Sequence, residues 1–135
     1  MTFTSTRRNS MPIPIEPAVL SVYLTAATTE LLIPIPWKNC KLVHVVACFD
    51  VTASAATGSI DFELNAEGGG DMFTIAVGSE QGAGTQVEGT VVTASNCTDL
   101  DRDDTARDNT NIEVSGDVTT YTCMVYLYFE AQPTA

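Results

Sequence analysis

The chain reads as an all-β protein: an antiparallel two-sheet β-sandwich of jelly-roll type, with about eight strands and an extended N-terminal arm. Three observations predict it. Apolar residues recur with a period of two in one short run after another. Gly, Pro, Asn and Asp punctuate those runs, and no stretch carries a 3.6-residue period of useful length.

Residues 1–17 form the arm. Pro12, Pro14 and Pro17 alternate with Ile13 and Ile15, and proline fixes its own φ while biasing its predecessor to extended backbone. Two apolar side chains so presented need a surface to lie on, either the flank of this domain or a neighbouring subunit. The sandwich domain follows at 18–130, with a short tail at 131–135. Its first strand is expected at Ala18 to Thr25, where Leu20, Val22 and Leu24 alternate with Val19, Ser21 and Tyr23. Glu30 to Pro36 contains two prolines that cannot donate to a ladder, which assigns it to a sheet edge.

From Cys40 to Val51 the chain is apolar on both parities, as expected of a strand covered on both sides. His44, the only histidine, lies inside this run with no Ser, Cys or Asp at motif spacing, so it reads as a structural group rather than a base or ligand. Ser59 to Leu64, opened by Gly58, shows the clearest one-sided alternation: Ile60, Phe62 and Leu64 inward, Asp61 and Glu63 outward. The Gly-rich stretch 65–71 lacks the Lys and Ser/Thr of a phosphate loop. Phe73, Ile75 and Val77 mark another strand, and Thr85 to Ala94 a weaker one with Val87 and Val91 in phase.

Asp99, Asp101 and Asp103 stand at positions one, three and five of an EF-hand-like run. Asp104, however, occupies the required glycine and Thr110 the bidentate glutamate. A solvated loop with local Asp–Arg pairs is the reading, calcium the open alternative. Asn111 to Ser115 turns Ile112 and Val114 inward. The last strand, Thr119 to Glu130, places Tyr121, Cys123, Val125, Leu127 and Phe129 on a core face. Met124, Tyr126 and Tyr128 fall on the opposite face.

Those three side chains, with one face of the Cys40 to Val51 strand, exceed what the core needs. If the two strands are neighbours they make an apolar, aromatic patch, and Tyr and Met are interface-prone. That patch should be covered by another subunit, which makes Met124, Tyr126 and Tyr128 the expected interface of a dimer or trimer, or by the proline-rich arm.

Charge narrows the partners. The chain carries 17 acidic against 6 basic side chains, a net charge of −11, which repels nucleic acid, and without Arg7 and Arg8 the remainder stands at −13. No run of 18 apolar residues spans a membrane, and the N-terminus lacks the pattern of a secretory signal, so a soluble protein with the arm in the mature chain is expected. Cys40, Cys48, Cys97 and Cys123 show no zinc spacing and read as small buried hydrophobes, with an interstrand disulfide as the alternative. No catalytic, metal or cofactor residues are assigned, and the expectation is a protein that is not an enzyme.

The layout resembles a known family. The arm Pro12-Ile-Pro-Ile-Glu-Pro17, the Ile-Pro-Ile-Pro36 edge, and Trp-Lys-Asn-Cys-Lys-Leu42 leading into a long apolar strand carry the likeness. With the Thr/Ala and Gly-rich loops and the tyrosine-rich last strand, they are together similar to the small jelly-roll decoration, or cement, proteins of tailed bacteriophage capsids. The resemblance implies a virion protein on the outer surface of the head. It would bind the major capsid protein through an arm carrying Arg7, Arg8, Ile13 and Ile15, as a homo-oligomer without active site or cofactor. The competing reading is a carbohydrate- or receptor-binding sandwich module, for which Trp37 and Tyr23 would supply an aromatic platform.

Overall fold

In the computed structural model the described residues are 18–25, 30–37, 39–50, 58–64, 70–77, 82–101, 111–116 and 122–132. The arm at 1–17, with Arg7, Arg8, Ile13 and Ile15, lies outside them, as does the whole aspartate-rich run after Asp101.

Among the described residues nine strands form two antiparallel sheets. They are β1 (Ala18–Leu24), β2 (Glu30–Pro34), β3 (Cys40–Phe49), β4 (Gly58–Leu64), β5 (Asp71–Val77), β6 (Gln86–Glu88), β7 (Thr90–Val91), β8 (Asn111–Gly116) and β9 (Cys123–Ala131). One sheet runs β1-β9-β3-β6 and the other β2-β8-β4-β5-β7. Leaving out the two-residue β7, the strands pair first with last and inward from there, β1 with β9, β2 with β8, β3 with β6 and β4 with β5. That nesting is the jelly roll expected from the sequence.

The terminal strand occupies the middle of its sheet, between β1 and β3. Cys123, Val125, Leu127 and Phe129 point into the sandwich and are fully buried. They meet Ile60, Phe62, Ile75, Ile112 and Val114 from the other sheet within one contiguous core. Burying each such side chain stabilises the fold by roughly 1.5–3 kcal/mol, so alternation on every long strand translates directly into cohesion between the two layers.

Two expectations need correction. The apolar run of β3 is not covered equally on both sides. Its register against β9 shifts between Leu42 and His44, a bulge at Val43 that flips the phase of the strand. Cys40 and Leu42 face inward before the bulge and Val45, Ala47 and Phe49 after it, while His44, Val46 and Cys48 face out. Second, the single strand expected over Thr85 to Ala94 is a corner. β6 pairs with β3 in one sheet, β7 with β5 in the other, and only Gly89 separates them. A 3-10 turn, Ala94–Cys97, then follows, which the alternation did not announce.

Gly89 explains why the chain can switch sheets there. Its N–H donates to the Val45 carbonyl at 2.9 Å. A Cβ at this position would lie 2.3 Å from Val45 Cγ2 and 3.1 Å from both Ile75 Cγ1 and the Thr74 carbonyl oxygen. Val45 is itself fully buried and has nowhere to retreat. Gly89→Ala should therefore lower stability by about 1–3 kcal/mol, the range for overpacking. Denaturant unfolding with an unchanged midpoint would contradict the close approach.

Candidate interaction face

The two outer faces of the sandwich differ in chemistry. On the five-stranded sheet the outward positions of β4, β5 and β8 gather Asp61, Glu63, Asp71 and Glu113. Asp61 accepts hydrogen bonds from the Thr74 hydroxyl at 2.8 Å and the Ser59 hydroxyl at 3.0 Å. Glu63 has its carboxyl held above the ordinary glutamate range. Partial burial is the first cause, followed by the hydrogen bond and charge of Asp71 and the charges of Glu113 and Asp61.

Ionised Glu63 is disfavoured in the folded state relative to the unfolded chain, so its contribution to stability improves as pH falls from 7 through its raised pKa toward the ordinary glutamate range. Glu63→Gln should remove that part of the pH dependence and leave the protein no less stable at pH 7. Denaturation midpoints of both proteins at several pH values check this, and a glutamine variant that is less stable at pH 7 would contradict it.

The four-stranded sheet presents the other chemistry. Strand pairing sets its outward side chains in rows. Val19, Tyr128 and His44 make one row, Ser21, Tyr126, Val46 and Glu88 a second, and Tyr23, Met124, Cys48 and Gln86 a third. Lys41 and Glu130 close one end as an ion pair at 3.7 Å. The predicted trio Met124, Tyr126 and Tyr128 thus lies on one face, joined by apolar residues of both neighbouring strands. Because β9 is flanked on each side, the three are half-buried rather than bare, and Val46 within the second row is buried. The most exposed apolar positions of the face lie on β1 instead, Val19 at 45% and Tyr23 at 43%.

Tyr23 is fixed in place at the far end of the strand. Its hydroxyl donates to Asp50, whose other carboxylate oxygen accepts from the Thr122 hydroxyl. His44 sits at the opposite corner, with Nε2 3.5 Å from a Glu88 oxygen and its ring 5.6 Å from that of Tyr128. It is half-exposed on the outer face rather than enclosed in a doubly covered strand.

Trp37 and Tyr23 do not share a platform. Trp37 packs partly buried against the core just before Cys40, whereas Tyr23 lies in the row of Cys48. Eight residues of β3 separate those rows, about 25 Å at the rise of a strand.

All four cysteines are free. Burial pushes the Cys123 thiol up to about 12 and the Cys97 thiol up to about 11, and raises that of Cys40. These three serve the core as apolar groups, in line with the expected role, while Cys48 is half-buried on the outer face. At the other end of the sandwich Asp99, in a left-handed conformation (φ 56°), holds Gln132 through two 2.8 Å hydrogen bonds and so pins the end of β9. No group of three metal-ligating side chains occurs among the described residues.

The fold and face define a class: a jelly-roll sandwich with one acidic outer sheet and one apolar, aromatic outer sheet. Compared with known proteins, the chain matches no family model, and no curated protein or solved structure is significantly similar to it.

Proposed function

We propose that the protein is a structural subunit of a virion, a capsid decoration or cement protein that binds the outer surface of a phage head. The observation that carries this reading is the row arrangement of Val19, Tyr23, Val46, Met124, Tyr126 and Tyr128 on the outside of the β1-β9-β3-β6 sheet. A patch of this composition on a small acidic protein has the character of an interface core rather than of a solvated surface. Self-association engages this sheet, and the arm with Arg7, Arg8, Ile13 and Ile15 spreads over the major capsid protein. Each copy's modest contact is multiplied by the number made at once on a lattice, and preferential binding to the expanded form stabilises that form by mass action.

Co-sedimentation with empty, expanded phage heads is the direct test. The full chain should pellet with the heads. A variant lacking residues 1–17 should stay in the supernatant while keeping its own unfolding transition. Undiminished occupancy by the truncated protein would remove the arm from the mechanism, and no occupancy by either would remove the capsid.

A further inference from the structure

Among the described residues the sandwich has four sheet edges, and three of them are protected. β6 is three residues long and carries Glu88, β7 is two residues long, and β2 contains Pro34. The corner at Gly89 also ties β6 to β7, closing that side of the molecule. β1 is the exception. It is a seven-residue edge strand, Ala-Val-Leu-Ser-Val-Tyr-Leu, without proline, formal charge or bulge. Among the described residues no strand pairs with its second edge, and no loop backbone bonds to it. A row of unpaired N–H and C=O groups accepts one kind of occupant, another extended strand.

We infer that the occupant is β1 of a second copy, paired antiparallel about a two-fold axis through Ser21. Deepening the proposal of a self-associating subunit, the pairing specifies which edge meets which. In this register Ser21 opposes Ser21, Val19 opposes Tyr23, Leu20 opposes Val22 and Ala18 opposes Leu24. Each pair joins residues of the same sheet face, so the two four-stranded sheets become one of eight with both aromatic faces on the same side. Ala18, Leu20 and Val22, which a single copy only partly buries, gain cover on the inner side. On the outer side the exposed Val19 of one copy lies opposite Tyr23 of the other, whose hydroxyl stays bonded to Asp50 of its own chain.

Tyr126 enters the same interface. It neighbours Ser21 in register, so the central row reads Tyr126, Ser21, Ser21, Tyr126 across the axis. The two tyrosines stand three strand spacings apart, about 14 Å, with only small serine side chains between them. An acidic body repels its own copies, and β1 is an edge where no formal charge opposes approach.

Cross-linking and charge complementation test the register. In a Cys48→Ser background, which removes the half-exposed native thiol, Ser21→Cys should give a disulfide-linked dimer on mild oxidation of the full chain. Val19→Cys should not, because its two copies lie four residues apart along the strand, about 13 Å, beyond disulfide reach. Separately, Ser21→Lys and Ser21→Asp should each weaken the dimer at least tenfold in sedimentation equilibrium, and an equimolar mixture should restore it as a heterodimer. Unchanged thermal transitions identify variants that remain folded. An oligomer that ignores both charges and yields no Ser21 cross-link overturns the edge pairing and leaves the subunit reading standing. A cross-link formed only after residues 1–17 are deleted overturns it as well, since the arm then occupies the edge in the full chain. A protein monomeric at every concentration, and absent from capsids, overturns both.

Discussion

Phe129→Ala should lower the unfolding free energy by about 3–5 kcal/mol, the range for removing a large buried aromatic ring. Small domains have about 5–15 kcal/mol to lose, so the variant is expected to be partly unfolded in mild denaturant. Phe129 is fully buried on the central strand, opposite Ala18 on β1 and Leu42 on β3, so no edge allows the sheet to close around the lost volume. Relaxation is further blocked because Gln132, just beyond the strand, is held by Asp99 and by the Asn39 carbonyl. The neighbouring residue supplies the control. Tyr128 faces outward and half-buried, and its replacement by alanine should lose about 1 kcal/mol or less in the monomer. Equal losses at positions 128 and 129 would contradict the inward and outward assignment of β9.

That assignment was legible because the strand carries its phase in its own residues. Cys123, Val125, Leu127 and Phe129 alternate without interruption, as do Ile60, Phe62 and Leu64, and both sets are core in the structure. β3 was misread for the same reason in reverse. A run apolar on both parities conceals a phase change, so the bulge at Val43 leaves no trace in composition. The Gly89 corner hides similarly: Val87 and Val91 keep step by count, yet belong to different sheets, Val87 packing on the core and Val91 lying exposed. Met72 is a third case, buried beside Phe73 because the register of β5 shifts against β4 between Phe62 and Glu63.

Half of the candidate face could be read locally. Met124, Tyr126 and Tyr128 share a parity, which puts them together whatever the topology. Val19, Tyr23, His44, Val46 and Cys48 join them only through pairing with strands distant in sequence, and the bulge decides which side of β3 faces outward. The link from Tyr23 through Asp50 to Thr122 spans separations of 27 and 72 residues and has no local signal at all. The open edge of β1 belongs to the same class, since it is defined by the absence of a neighbour among the described strands and not by anything in the strand.

Tyr126→Lys should dissociate the protein into monomers while leaving its fold intact. The residue lies at the centre of the outer face, between Ser21 and Val46, and points away from the core. A lysine there can extend its stem across Val46 and keep its ammonium in water, so the monomer loses little. Across the paired β1 edges the same ammonium would face that of the second copy over the two serines, and losing an aromatic anchor of an interface weakens binding by about 2 kcal/mol or more, roughly thirtyfold in Kd. The nearest carboxylate in the row, Glu88, is already 3.5 Å from His44 and lies beyond Val46. Sedimentation velocity should show a shift to the monomer mass, with circular dichroism and the unfolding midpoint nearly unchanged. On empty heads the variant should also bind more weakly than the native chain, because each copy then attaches alone and the gain from simultaneous contacts is lost. A monodisperse oligomer of native mass would place the interface elsewhere on the molecule, and a variant that unfolds would mean that the face contributes to the core of a single copy.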